Sequence, residues 1–344
     1  MRYRLFTTSL KAWDAMLSAI KEAKKSIYLE SYIFSDDTQE SHDFIGCLEK
    51  KAEDGLRVIV VVDAYGSKAL KNKIEKINQR SKIEFLFFSH WLRHIHRKVL
   101  LVDEKIAFIG GVNIGRRFRH WNDLQLKLSG KIVQRLLKSF AYTYEMANGK
   151  NPAVLAYRQK KSTKKIKFWL VEHWPIKNIY SLKKHYIEKI NSAQENILIA
   201  TPYFTPPRWL ISLLDNAVRR GVSVEILIPQ KVDWKIMDLL NYRFMSNLHL
   251  LGIKFFISPT MNHSKLLIID QKEALVGSQN IDLFSFSLNS EVGVFFSNKK
   301  LLRELLAVVA LWKKQSSHFH PQRHKLSLAD YFILAILKVL RPIL

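Results

Sequence analysis

Residues 96–113 read HRKVLLVDEKIAFIGGVN, and residues 263–280 read HSKLLIIDQKEALVGSQN. A histidine, a lysine, an aspartate, a glycine and an asparagine recur at a single offset of 167 residues, and VLLVD is matched in kind by LLIID. The likeness extends outward. AKKSIYLESYIFSDD (23–37) resembles AQENILIATPYFTPP (193–207), and EDGLRVIVVVDAYG (53–66) resembles RRGVSVEILIPQKV (219–232). Self-similarity at one long offset marks two copies of one structural unit.

Each copy reads helix, strand, helix, strand, a loop into the His-Lys strand, then a helix. Trp13, Met16, Leu17 and Ile20 recur at helical spacing behind Ser9, a candidate cap. Tyr186, Ile187 and Ile190, then Leu210, Leu213, Leu214 and Ala217, do the same in the second copy. RVIVVVD, VEILIP, KVLLVD and KLLIID are near-continuous aliphatic runs, which suit strands covered on both faces. Alternating strands and helices predict an α/β fold of two similar α/β/α halves related by a pseudo-twofold axis. The polar, basic stretch at 147–167 predicts the boundary. It divides the chain into a first repeat at 1–155, a second at 156–325 and a C-terminal helix at 326–344.

The chain has 344 residues and 48% hydrophobic content, enough for a sizeable core. Its net charge of +25 favours polyanionic partners: nucleic acid, an anionic membrane or phosphorylated ligands. One cysteine, Cys47, excludes an internal disulfide and any multi-cysteine zinc site. The N-terminal residues lack an apolar signal-peptide core, and no run of eighteen apolar residues predicts a membrane span.

In a strand, residues two apart share a face, so His96 projects with Lys98 and His263 with Lys265. Asp103 and Asp270 lie seven residues beyond their histidines, an odd spacing that turns them to the scaffold side. Imidazole can attack, accept or donate a proton near neutrality, and an adjacent ammonium holds an anion. Asn113, Ser278 and Asn280 are candidate hydrogen-bonding partners for phosphate oxygens. A pseudo-twofold would set the two histidines on opposite sides of one phosphorus, as in-line displacement requires. Each histidine needs a carboxylate to fix its tautomer. Asp123, 27 residues after His96, and Glu291, 28 after His263, are the candidates. Zinc is the rival for histidine plus carboxylate, but a lysine beside each histidine repels a metal. The other ten histidines are read as surface or packing residues.

The two HxKxxxxD motifs, His96-Lys98-Asp103 and His263-Lys265-Asp270, each followed by Gly-Gly or Gly-Ser and an asparagine, resemble the signature of the phospholipase D superfamily. KKSIYLESYIFSDD, TPYFTPP, IGGVNIG, WND and NIDLFSFSLNSEV are similar to blocks of its bacterial cardiolipin synthase branch, over roughly residues 10 to 300. The resemblance implies a phosphatidyltransferase that works through a covalent phosphohistidine without metal or cofactor. All six motif residues then belong to the catalytic set, with His96 as nucleophile and His263 as general acid. It implies phospholipid substrates, with phosphatidylglycerol the expected donor, one active site within one chain, and peripheral attachment to the cytoplasmic side of the membrane. Two departures are visible: the branch's N-terminal spans are missing, and WND stands where Trp-Arg-Asp is commoner.

RQKKSTKKIK (158–167) carries six basic residues and no acid, which reads as a solvated linker or an anion contact. SLADYFILAILKVLRPIL (327–344) plots as a helix with one narrow polar side, expected either to dock on the body or to lie in a membrane surface. Two other functions fit the charge. One is a phospholipase D-type phosphodiesterase or nuclease, the only reading that makes nucleic acid a partner. The other is a non-catalytic anion-binding module, which two intact motifs argue against.

Overall fold

Val58, Ile59, Val60, Val61 and Val62 are all β-branched, stiff at χ1 and suited to a pleated surface. All five are buried on one inner strand of a sheet whose two faces are covered. A computed structural model describes residues 2–159 and 168–321. The basic residues 160–167 and the apolar segment 327–344 lie outside the described residues.

The first half contributes β1 (Tyr3–Thr8), β2 (Ser26–Ser31), β3 (Arg57–Asp63), β4 (Glu84–Phe88), β5 (Lys98–Val102), β6 (Ile106–Gly110) and β7 (Asn122–Ser129). They form one seven-stranded sheet in the order β1-β7-β6-β5-β2-β3-β4. The second half contributes β8 (Phe168–Trp174), β9 (Ile179–Tyr180), β10 (Asn196–Ala200), β11 (Ser223–Pro229), β12 (Lys254–Ser258), β13 (Leu266–Ile269), β14 (Glu273–Gly277), β15 (Glu291–Phe296) and β16 (Ser317–His318). Its nine-stranded sheet runs β16-β12-β11-β10-β13-β14-β15-β8-β9. Without the edge strands β9 and β16, the two orders are the same. The repeated sequence is therefore a repeated topology.

Helices α1 (Ser9–Glu22), α2 (Phe44–Glu53), α3 (Lys71–Arg80) and α4 (Lys131–Met146) belong to the first half. The short α5 (Pro152–Leu155) follows, then α6 (Ser181–Ser192), α7 (Arg208–Arg219), α8 (Lys235–His249), α9 (Leu283–Ser287) and α10 (Lys299–Gln315). Thr8, not Ser9, caps α1: its hydroxyl accepts from the Lys11 amide, and Ser9 is already helical. The outer helices of each half bury one sheet face, around Trp13, Phe44 and Leu48 in the first half and Tyr186, Leu210 and Phe255 in the second. The inner faces of both sheets, with α4 and α10, share one core, including Tyr28, Phe140, Leu266 and Leu305.

The sheets are mixed. β2, β3 and β4 run parallel, while β5 pairs antiparallel with β2 and opens the meander β5-β6-β7. The start of β5 therefore lies beside the carboxyl ends of β2, β3 and β4, with Lys98 opposite Ser31. The same holds for β13 beside β10 and β11. Ligands of open α/β sheets bind at this end.

Candidate active site

Each motif histidine sits just before its strand, and the backbone there crosses to the other half. The His96 amide donates to the Ser290 carbonyl at 3.0 Å, and the Ser290 amide to the His94 carbonyl at 2.8 Å. In the same way the His263 amide donates to the Asn122 carbonyl at 2.7 Å, and the Asn122 amide to the Met261 carbonyl at 3.0 Å. Ser290 and Asn122 immediately precede the two candidate carboxylates. The pseudo-equivalent bridges Ile95–Ser290 and Asn122–Asn262 thus set each carboxylate beside the histidine of the opposite half.

The side chains follow. His96 Nδ1 lies 2.9 and 3.1 Å from the two Glu291 carboxylate oxygens. His263 Nδ1 lies 2.7 Å from Asp123 Oδ2. The partners expected from spacing within each half, Asp123 for His96 and Glu291 for His263, are exchanged. In both pairs Nδ1 is engaged, which leaves Nε2 as the nitrogen available to a ligand. Lys98 Nζ donates to the His96 carbonyl at 2.6 Å, and Lys265 Nζ to the His263 carbonyl at 2.5 Å. Each lysine thus folds back over its own histidine. All six groups are buried.

Burial pulls His96 down to about 4, against the opposing pull of Glu291. His263 falls well below its ordinary value, through burial first and then through Lys265 and Lys98. Burial also lowers Lys98 to about 7 and Lys265 to about 8. The carboxylates diverge. Burial pushes Asp123 up to about 7, resisted by Lys265 and one backbone amide. Burial acts upward on Glu291 too, yet His96, Lys98 and the Ser278 hydroxyl outweigh it and hold the group below its ordinary range.

Beside His96 and Lys98, hydroxyl donors contribute to that divergence. Ser278 donates its hydroxyl to Glu291 and accepts from the Val292 amide at 3.1 Å. Ser285 adds a second hydroxyl to Glu291 at 2.8 Å. Gly111 stands at the position equivalent to Ser278, and a Cβ there would come within 2.3 Å of Asp123 Oδ1. Asp123 accordingly receives no hydroxyl, only His263 and the Leu124 amide at 2.7 Å. Ser278, expected from sequence to meet a phosphate oxygen, donates its hydroxyl to Glu291 in this structure. Asn113 and Asn280 are different. Both are buried, and each keeps one side-chain oxygen position without a partner. Amide orientation is interchangeable here, so either can turn an N–H to a ligand.

Asp103 and Asp270 stand apart from the chemistry. Asp103 accepts from the amides of Lys24, Lys25 and Ser26, at 2.6 to 3.1 Å. Asp270 accepts from those of Gln194, Glu195 and Asn196, at 2.8 to 3.2 Å. Both lie past the far ends of β5 and β13, roughly 20 Å of strand from the histidines. In this structure each clamps the loop entering β2 or β10.

Several neighbours were not singled out from sequence. Tyr32 meets the His96 ring edge-on at 4.7 Å, with Lys98 Nζ 5.0 Å from its centroid. Trp121 lies 5.3 Å from the His263 ring. His94, read as an ordinary packing residue, has Nδ1 3.2 Å from Asp63 Oδ1 and stands between Tyr32 and Tyr65. Tyr32 and Trp121 lie within two residues of a sheet end or a candidate carboxylate, a positional signal the sequence did contain. A cleft of 760 Å³ between α6 and β8 is not lined by either motif histidine.

Two α/β halves that exchange histidine–carboxylate pairs, each backed by a lysine, define a phospholipase D-like protein. Residues 16–144 and 186–312 match the family described as "Cardiolipin synthase, PLD-like domain". The chain belongs to that family. It is 30% identical to a cardiolipin synthase of Listeria welshimeri, over 99% of this chain and 75% of that one. It is 29% identical to one from Clostridium perfringens, over 88% of this chain and 68% of that one. Among solved structures, the phosphatidylserine synthase of Haemophilus influenzae superposes with a TM-score of 0.77 at 15% identity, covering 99% of this chain and 93% of that one. The polyphosphate kinase of Porphyromonas gingivalis gives 0.64 at 15% identity, covering 98% of this chain and 53% of that one. Among the described residues no helix is long and apolar enough to cross a membrane.

Proposed function

We propose that the protein is a phosphatidyltransferase of the cardiolipin synthase type, with one active site built by both halves of a single chain. The observation that carries the proposal is the crossed pairing of His96 with Glu291 and His263 with Asp123. It holds two imidazoles in defined tautomers beneath two lysines and two unsatisfied asparagines, an arrangement suited to one phosphodiester.

The unequal carboxylates support an order of roles. Glu291 stays ionised and His96 stays unprotonated down to about 4, which suits a nucleophile. Asp123 is raised to about 7, so the His263–Asp123 pair keeps a proton to near neutrality, which suits an acid. In the first step His96 Nε2 bonds to phosphorus, and the bond from phosphorus to the leaving alkoxide breaks. The proton from the His263–Asp123 pair goes to that alkoxide. In the second step His263 takes the proton of an acceptor alcohol, whose oxygen displaces His96 and restores both groups. Lys98, Lys265, Asn113 and Asn280 would hold the phosphoryl oxygens throughout. No step calls for a metal. Phosphatidylglycerol, as donor and acceptor, would give the diphosphatidyl product named by the relatives.

The test is trapping. Purified protein is incubated with a phosphorus-labelled donor carrying a good leaving group, then quenched in alkali, where phosphohistidine survives, or in acid, where it does not. Alkali-stable label is expected in wild type, absent in His96→Asn and accumulating in His263→Asn. Label lost in His263→Asn but kept in His96→Asn would reverse the roles. Cleavage of single-stranded DNA without lipid turnover would favour a nuclease instead. Turnover abolished by chelator would remove metal independence.

A further inference from the structure

The residues around the mouth of this site are exposed and apolar in a way the rest of the surface is not. Tryptophan is rarely left in water, because its large ring gains most from burial. Yet Trp91 is 83% exposed and Trp234 58%. Leu92, Ile236, Leu283 and Phe284 are exposed as well. With Tyr65, these make seven of the eleven large exposed hydrophobic residues among the described residues, and all seven fall on loops or the first turns of helices that follow strand ends.

The topology explains why they converge. Tyr65 follows β3, and Trp91 and Leu92 follow β4, at the carboxyl ends of parallel strands. Trp234 and Ile236 follow β11. Leu283 and Phe284 follow β14, whose end lies beside the start of β13 because the two strands are antiparallel. That is the end of each sheet where the motif histidines sit. Contacts tie each loop to the site. Tyr65 reaches His94 at 5.2 Å, and Tyr32 bridges His94 to His96. Next to Trp234, Asp233 accepts from Tyr203 and faces Arg117 of the other half at 4.0 Å. Beside Phe284, Ser285 holds Glu291. The first half's loop between sheet and histidine is also three residues longer than the second's, and Trp91, Leu92 and Arg93 lie in that extra length.

Cations stand near the apolar groups: Lys68, Lys231 and Lys235 are exposed on the same segments, and Arg116 on the segment that follows β6. We infer that this rim is a membrane-docking surface that seats the mouth of the active site on an anionic phospholipid bilayer. Bulky aromatic and aliphatic tips enter the acyl boundary while the lysines and arginines meet headgroup phosphates. Aromatic rings with cations also suit single-stranded nucleic acid. Leucine and isoleucine, however, cannot stack on bases, and here they make up three of the seven rim residues. The inference rests on the proposed lipid chemistry, and it explains how a buried histidine pair could receive a phosphodiester without the lipid crossing water.

The test uses the full chain with Cys47→Ser. Leu92→Cys, Phe284→Cys and, as a remote control, Leu250→Cys each receive an environment-sensitive fluorophore. Vesicles of equal phosphatidylglycerol and phosphatidylcholine should shift the labels at 92 and 284 to the blue and leave that at 250 unchanged. Equal shifts at all three positions, or a shift at 250 alone, would overturn the docking surface. A second arm compares the variant Trp91→Ser/Leu92→Ser/Trp234→Ser with wild type. Turnover of vesicle lipid should fall about tenfold or more, while hydrolysis of a water-soluble short-chain phosphodiester stays within about twofold. Equal loss on both substrates would mean a damaged site, not lost docking. If wild type turns over no lipid yet the labels at 92 and 284 shift, the docking stands and the phosphatidyltransferase reading falls. Loss of single-stranded DNA binding with unchanged vesicle shifts would assign the rim to nucleic acid.

Discussion

Lys98 and Lys265 show how far a site can move a side chain from its ordinary chemistry. Both are buried beside a second ammonium, so the charged form is penalised and the proton leaves near 7 and near 8. The charged form is the one that attracts a phosphodiester anion, so raising the pH through these values removes what binds substrate. The second-order rate constant kcat/KM reports the free enzyme. It should therefore fall on the alkaline side with its first midpoint near 7. On the acid side it should hold until His96 gains a proton near 4. Lys98→Arg keeps a charge that does not titrate in this range. Its alkaline limb should become shallower, because the His263–Asp123 pair still loses its proton near 7 while the charge at 98 does not. A pH profile on a water-soluble phosphodiester checks this, and an unchanged slope would acquit Lys98.

The hairpins that carry the motifs end in strained pairs. Asp103 and Glu104 have φ of 52° and 58°, and Asp270 and Gln271 have 50° and 51°, all in the left-handed region. Aspartate tolerates this conformation better than most residues, and here its carboxylate also satisfies three amides of a neighbouring loop. Gln271 has no such compensation. Gln271→Gly should stabilise the protein by about 1 kcal/mol. Asp270→Ala should destabilise it by about 2–3 kcal/mol, since it strands three amides at once. Urea unfolding gives both signs. In the folded fraction, Asp270→Ala should keep most of its turnover, because the carboxylate lies at the wrong end of β13. Near-complete loss there would restore the aspartate to the catalytic set.

Arg97 ties the two halves together from the middle of the first motif. It faces away from the site and is fully buried. Its Nε donates to Glu30 at 2.7 Å, Nη2 donates to Ser139 of α4 at 2.5 Å, and its guanidinium lies 4.3 Å from the Trp174 ring of the second half. Removing one partner of a buried pair leaves an uncompensated charge. Arg97→Met alone should cost about 3–5 kcal/mol, and Arg97→Met/Glu30→Leu should recover most of that. A double-mutant cycle by urea denaturation checks it. A double variant as unstable as the sum of the singles would mean that the pair contributes nothing jointly.

At this scale the division between sequence and structure is clear. The duplication, the alternation of strands and helices, the shared face of each His-Lys pair and the chemistry they suit were legible from composition and spacing. These depend on local geometry: a period of two along a strand, and one offset along the chain. The strands β1, β4, β6 and β7, with their counterparts β8, β12, β14 and β15, were not read as separate strands, and β1 and β8 pair with segments more than a hundred residues away. Nor was the exchange of carboxylates. Asp123 and Glu291 lie 27 and 28 residues after the histidines of their own halves, which suggests pairing within each half, and the backbone bridges Ile95–Ser290 and Asn122–Asn262 select the crossed one. The same holds for Ser278, polar and beside the site in sequence, which the fold turns toward Glu291. Residue types and their order along the chain determined what chemistry is available. Which groups meet, and which hydrophobic rings are left in water, was decided by long-range packing of two sheets that no local pattern encodes.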